Sequence, residues 1–347
     1  MRVVIDISVE DFNQKRPVLF SVFFCNQLIK YYPQVDWVFI ANSNQIKSGA
    51  LNNLTVIECV LMHRQSSLVR YYQRRKLSKK ISRLHPQYII SPFIFIQKHF
   101  NYFLLHSNEQ LHTTKQVQLK HFQYILATSF ELKQSLMAKL KVSGEQIKVL
   151  PAIPRNEFKP LNDEVTGEVR NTMCGGSHFF ILNSAAGSLP KIVQLLRAFS
   201  MFKKHLQSGM KLVLNLKKTK ELVVLLNTYK YKNDVICIEK TNAADLSVIT
   251  AASYTVIQYA QDDSFVSNGE IQCCNIPVLL LQPPSYEQQP EMYVYANEMD
   301  ADDIAQKLML LYKDETYRNK VINKASVPSD FNHSEKIIST FFSFLNH

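Results

Sequence analysis

Glycine is scarce in this chain, with 8 in 347 residues where average usage would give about 24. Loops that bring backbone close to a phosphate usually rely on glycine, so a glycine-rich phosphate cradle is not on offer. Cysteine occurs six times, at 25, 59, 174, 237, 273 and 274, with no CxxC pair and no histidine at zinc-ligand spacing. These thiols read as small buried apolar residues in a reducing compartment, the adjacent Cys273 and Cys274 included. No apolar run approaches the roughly 18 residues of a membrane span. The longest, Val18 to Cys25 and Tyr88 to Ile96, are short, and Pro92 interrupts the second. The opening MRVVIDIS reads as a first strand and not as a signal peptide.

Acid is short in one half only. Residues 1–150 carry 20 Lys and Arg against 8 Asp and Glu, a net +12, while residues 151–347 carry 20 against 21. The whole net charge of +11 therefore belongs to the first half. That asymmetry calls for an anionic partner there: a membrane surface, a polyanionic acceptor or, as the weaker reading, nucleic acid.

What is present is an alternating pattern. The length suits two domains, and 46% hydrophobic residues suffice for two cores. Short apolar runs read as strands: Arg2 to Ser8, Trp37 to Ala41, Leu54 to Val60, Tyr88 to Ser91, Asn101 to His106, Tyr124 to Ala127 and Lys148 to Ala152. Helical stretches lie between several of them, such as Val18 to Tyr32 and Glu131 to Leu140. Apolar strands alternating with helices give a parallel α/β sheet. Ser66 to Leu84 is a basic helix, with Leu77, Ile81 and Leu84 on one face and Arg75, Lys76, Lys79 and Arg83 on the other; Arg74 and Lys80 add to its charge. It reads either as a sheet-covering helix with a solvated outer face or as a patch for an anionic membrane or acceptor. Nucleic acid is weaker here because no recognition motif follows.

Pro151, Pro154 and Pro160 punctuate a polar stretch, Arg155 to Ser177, that reads as the linker. The expected division is 1–155, 156–330 and a final helical segment 331–347. Beyond the linker come strands at His178 to Leu182, Lys211 to Leu216, Val235 to Glu239 and Thr255 to Gln258, each followed by a helix or loop, which makes a second doubly wound domain. In such sheets ligands bind beyond the carboxyl ends of the strands. Asn183 to Pro190 and Asp262 to Gly269 fall there. Asp262 to Leu279, DDSFVSNGEIQCCNIPVL, sets an acidic pair eight residues before Glu270 and then a short helix, Ile271 to Asn275. It reads as a donor-holding loop at a helix start, or as a solvated loop and a buried helix between two strands.

Several segments together resemble the retaining GT-B glycosyltransferase family, the one that includes bacterial lipopolysaccharide, capsule and mannosyl transferases. They are ILATSFELKQSLMAKLKVSGEQIKVLPAIPRNEFKP, LLRAFSMFKKHLQSGMKLVL, AADLSVITAASYTVIQYAQDDSFVSNGEIQCCNIPVLLL and MDADDIAQKLMLLYKDETYRNKVINKA. The match covers residues 122–345, and the first 120 match in layout only. The resemblance implies an α/β GT-B fold of two Rossmann-like, doubly wound domains facing across a cleft. The first would take the acceptor, the second the nucleotide-sugar, and the last helix would pack back on the first. It implies transfer with retention from a nucleotide-sugar donor to a saccharide or lipid-linked acceptor in cell-surface glycan synthesis. The enzyme would be cytoplasmic, peripheral at the inner face of the membrane, with no cofactor and no bound metal.

Carried over residue by residue, the resemblance places the family's donor acids at Asp262 and Glu270, and its active-site histidine at His106. His106 and Glu270 would be catalytic; Asp262, Asp263, Ser264, Phe265 and Glu270 would hold the donor, with Gly187 and Lys191 on the phosphate side. Asp263 with Asp262, and Asp300-Ala301-Asp302, read as donor loop and helix cap and not as a metal site. The family's diphosphate arginine is missing from Asn183 to Lys191, and its glycine-rich first loop is replaced by Glu10 to Pro17. A catalytically degenerate GT-B scaffold that binds a ligand or partner is therefore the alternative.

Overall fold

The computed structural model describes residues 1–7, 22–41, 55–58, 67–91, 100–105, 124–184, 188–240, 242–260, 264–286, 293–325 and 332–345. Contacts divide the chain into two compact units. The described residues of the first run from Met1 to Ile153 and resume at the last helix; those of the second begin at Pro154. The division falls before Arg155 and not after it, so Arg155 belongs to the second unit.

The first unit is a seven-stranded parallel sheet in the order β3-β2-β1-β4-β5-β6-β7. The strands are β1 (Arg2–Asp6), β2 (Asp36–Ala41), β3 (Thr55–Glu58), β4 (Tyr88–Ser91), β5 (Phe100–Leu105), β6 (Tyr124–Ala127) and β7 (Ile147–Val149). Helices α1 (Val22–Tyr31), α2 (Ser67–Ser82) and α3 (Phe130–Leu140) lie between them. After their first residues β1, β2, β4 and β6 are buried throughout, as strands covered on both faces are, while β3 at the sheet edge is part-exposed. In α2, Leu77 and Ile81 are buried on Val4, Val38, Ile40 and Ile89. Its Arg75, Lys76, Lys79 and Lys80, and Arg83 just beyond it, are exposed. The sheet-covering reading of this helix therefore accounts for its apolar face, and its basic face points to solvent.

The second unit is a six-stranded parallel sheet in the order β10-β9-β8-β11-β12-β13. This is the 3-2-1-4-5-6 order of a dinucleotide-type doubly wound sheet. The strands are β8 (Phe179–Asn183), β9 (Lys211–Asn215), β10 (Val235–Ile238), β11 (Thr255–Tyr259), β12 (Val278–Gln282) and β13 (Val294–Asn297). The helices are α4 (Asp163–Cys174), α5 (Leu189–Leu206), α6 (Lys220–Thr228), α7 (Ala243–Ala252), α8 (Asn268–Cys273), α9 (Ala301–Lys313) and α10 (Glu315–Ala325). An aromatic set fills the layer under α5: Phe202 meets Phe180 edge-on at 5.1 Å and Tyr312 at 5.4 Å. The last helix, α11 (Asn332–Leu345), packs in the first unit, where Phe341 meets Phe24 edge-on at 5.6 Å and Phe342 stacks on Tyr32 at 3.7 Å.

The expected linker contains α4. Its apolar stripe is thin, but both ends are signalled. Asn162 accepts a hydrogen bond from Val165 N, two acids open the first turn, and Gly175 closes the helix at φ 59°. Gly176 follows at φ 83°, where an added Cβ would lie 2.9 Å from Asn171 Oδ1. Elsewhere the shortage of glycine shows directly: His85, Lys141, Gln207 and Asn275 take left-handed backbone at φ 46° to 58°. Asparagine tolerates that conformation; glutamine and lysine do so less well. Gln207→Gly, at the end of α5, is expected to raise stability by about 0.5–1 kcal/mol in urea unfolding. Burial pushes the Cys174 and Cys273 thiols up to about 11 and the Cys274 thiol further, which fits packing and not redox chemistry. Among the described residues, no helix is long and apolar enough to cross a membrane.

Candidate functional site

The loops at the carboxyl ends of β8 and β11 come together through one hydroxyl. Ser264 Oγ donates to Asn183 O at 3.0 Å and accepts from Gln258 Nε2 at 3.0 Å and from Val266 N at 3.3 Å. Gln258 Nε2 also donates to Val266 O at 2.7 Å. Ser264, expected to touch a donor, staples the loop after β11 to the end of β8. Phe265 is half-buried against the second unit's core, and its carbonyl accepts from Arg155 Nη2 at 2.8 Å.

Helix α8 starts three residues earlier than the sequence suggested, because Ser267 caps it. Glu270 N donates to Ser267 Oγ at 3.3 Å, and Ser267 N donates to Glu270 Oε2 at 2.8 Å. Together these form a capping box. Glu270 thus lies inside the first turn, with a fully buried side chain. Arg155 meets it from 115 residues away: Nε donates to Oε1 at 2.5 Å, Nη2 to Oε2 at 3.1 Å, and the Arg155 backbone N to Oε1 at 3.3 Å. The guanidinium also lies 4.8 Å over the Phe158 ring. A carboxylate has about four lone-pair positions, and Glu270 receives four donors from its own chain. A donor hydroxyl could bind it only by displacing one of them. The carboxylate expected to hold a donor is thus already engaged by its own chain.

Lys191 lies in the first turn of α5. Its Nζ is 2.9 Å from Glu298 Oε2 and 4.9 Å from the centre of the Tyr259 ring, whose hydroxyl donates to Lys191 O at 2.9 Å. The side chains of Lys191 and Glu298 are 15% and 12% exposed. The one cation that the sequence left for a phosphate is therefore held by an acid of its own unit, beside β13. His106, Gly187, Asp262 and Asp263 lie outside the described residues, as does the side chain of Arg74.

What remains open is at the end of β8. Asn215, fully buried, donates through Nδ2 to Asn183 Oδ1 and to Lys240 O, each at 3.0 Å, and accepts from Lys240 N at 2.8 Å. Ser184 N donates to Asn215 O at 3.1 Å. This network fixes Asn183 and Ser184, both buried, yet among the described residues Asn183 Nδ2 and Ser184 Oγ have no hydrogen-bond partner. Helix α5 follows them. Its N-cap, Ser188, makes no side-chain cap bond, and its first turn holds no acid. Unpaired buried donors beside an 18-residue helix's uncapped N-terminus suit an anion. Sequence reasoning marked this loop but missed Asn215, which holds it, and missed Glu298 and Arg155 as the partners of Lys191 and Glu270.

No protein-family model matches the chain, and no curated protein matches it in sequence. Solved structures do match it in fold. A glycosyltransferase from Rickettsia africae ESF-5 superposes with a TM-score of 0.68 at 12% identity, over 99% of this chain and 97% of that one. Anabaena Alr3699/HepE, solved in complex with UDP and glucose, gives 0.69 at 13% identity over 100% and 99%. A putative UDP-N-acetylglucosamine 2-epimerase from Listeria monocytogenes gives 0.59 at 12% identity over 99% and 96%. At these identities the likeness establishes architecture: the chain has the α/β fold of the GT-B glycosyltransferases and epimerases, built from two Rossmann-like units.

Proposed function

We propose that the protein is a nucleotide-sugar-dependent glycosyltransferase that holds the donor's diphosphate at the end of β8. The carrying observation is the pair of unpartnered buried groups, Asn183 Nδ2 and Ser184 Oγ, at the start of α5. The shared fold with a protein solved with UDP and glucose supports the reading. The sugar passes to a saccharide or lipid-linked acceptor with retention: the bond from anomeric carbon to diphosphate breaks, and the acceptor oxygen takes its place on the same face. No bound metal is needed in this reading. Helix N-terminus and side-chain donors hold the leaving charge, with Lys191 available only if Glu298 releases it. Cell-surface glycan assembly at the cytoplasmic face of a membrane is the setting, and the exposed basic face of α2 faces the anionic acceptor or membrane.

The second reading is a GT-B scaffold that binds a ligand without turnover. The observation that favours it is the saturated Glu270 carboxylate.

One experiment separates the two. UDP and other nucleoside diphosphates at a hundred times their Kd stabilise by about 2.7 kcal/mol, which is expected to raise the melting temperature by about 5–10 °C. Ser184→Ala is expected to weaken that binding about tenfold through loss of one charge-assisted bond. Release of nucleoside diphosphate from a matching nucleotide-sugar in the presence of acceptor establishes the transferase. A melting shift with no turnover on any donor leaves the scaffold reading standing, and no shift with any nucleotide sinks the transferase.

A further inference from the structure

The second unit carries its own basic and apolar surface, at the β10 edge of the sheet. Residues 216–240 contain six lysines, three acids and no arginine or tryptophan. Lys217, Lys218, Lys220, Lys230, Lys232 and Lys240 are all exposed. Of the acids, Asp234 is held by Lys203 and Lys211, and Glu239 accepts from Lys218 N at 2.6 Å. Among the described residues, Lys217, Lys218 and Lys220 form no side-chain ion pair. They cluster at the N-terminus of α6, where the helix dipole disfavours cations. The first turn of α6 holds one acid, Glu221, against these three lysines.

Helix α6 sets apolar side chains among these charges. Leu222 is buried and Leu225 and Leu226 pack partly on the core. Val223 and Val224 turn outward, 45% and 66% exposed. Lys220, Val223, Val224 and Asn227 stand at i, i+3, i+4 and i+7, so they share one face.

We propose that this edge, α6 with Val223, Val224 and the surrounding lysines, docks on an anionic lipid membrane. Lysine ammonium groups are compact point charges that suit the diffuse field of lipid headgroups and lack the planar fork used in bidentate recognition. Protein interfaces favour arginine and are depleted in lysine, the reverse of the six lysines and no arginine here. The two valines enter the headgroup boundary while the long lysine stems reach up beside them. The surface lies on a different unit from α2 and does not depend on the glycosyltransferase reading.

The test is co-sedimentation of the full chain with phosphatidylcholine vesicles, with and without phosphatidylglycerol. Binding is expected only with phosphatidylglycerol, and it weakens as salt rises. Lys217→Glu, Lys218→Glu and Lys220→Glu together are expected to weaken it about a hundredfold, and Val224→Asp about tenfold. The melting temperature does not fall, since these side chains are exposed and acids suit a helix N-terminus. Neutralising Arg75, Lys76, Lys79, Lys80 and Arg83 of the α2 surface leaves binding through α6 in place. The proposal is overturned if the full chain ignores phosphatidylglycerol, or if the α2 variant loses all binding while the α6 variants keep it. It is equally overturned if polyglutamate binds the surface and Val224→Asp leaves that binding and the vesicle binding unaltered, which assigns the edge to an acidic polypeptide.

Discussion

Glu270→Ala is expected to destabilise the second unit by about 3–5 kcal/mol, because it removes the carboxylate counter-charge of the part-buried Arg155 guanidinium. Arg155 is 10% exposed, and Glu270 takes two side-chain bonds and one backbone bond from it. The same change frees the N–H of Ser267 at the cap of α8, which adds to the loss. A drop of about 10 °C or more in the second unit's melting temperature follows from that range. Replacing both partners, as in Arg155→Met with Glu270→Gln, is expected to recover much of the loss, since no unpaired charge then remains. A double-mutant cycle in urea measures the coupling. A loss below about 1 kcal/mol for Glu270→Ala would show that the pair is solvated in solution. Nucleotide titration of any Glu270 variant that folds then separates two roles. If UDP still stabilises Glu270→Gln as it does the native chain, the carboxylate is a structural tie; if that stabilisation vanishes while the fold stands, the ligand displaces Arg155 to reach it.

The contrast between these outcomes shows what a sequence can carry. Strands such as VLLLQ in β12 and RVVID in β1 are apolar because both faces of a parallel sheet are covered. Their alternation with helices made the two doubly wound units readable. Helix α4 was hidden by composition: Val165, Val169 and Met173 make a stripe too thin to stand out from a polar segment, although Asn162 and Gly175 mark both ends. Strand β13 was passed over for a similar reason, being four residues long. The contacts of the expected site residues were not legible. The resemblance marked Glu270 as a donor acid and Lys191 as a phosphate cation, but nothing near either residue announces Arg155 or Glu298. Ion pairs between residues more than 100 positions apart leave no periodicity and no local motif; only the folded register brings them together.

Asn215→Ala is the second large effect expected, and it reaches the candidate site from beneath. Asn215 is fully buried at the end of β9 and ties three strand ends together. Its amide donates to Asn183 at the end of β8 and to Lys240 beyond β10, and its side-chain oxygen accepts from Lys240 N. Alanine removes all three bonds and leaves Lys240 N–H and Asn183 Oδ1 inside the protein. At about 1–3 kcal/mol for each stranded group, a loss of about 3 kcal/mol is expected by urea unfolding. A second consequence is specific to function. Asn183 presents its unpartnered Nδ2 because Asn215 holds the other side of the same amide, so Asn215→Ala lets that amide turn. UDP affinity is expected to fall about tenfold, the size of one oriented hydrogen bond to an anion. Uridine, which lacks the diphosphate, should lose no affinity, whereas a general collapse of the site would weaken both ligands equally.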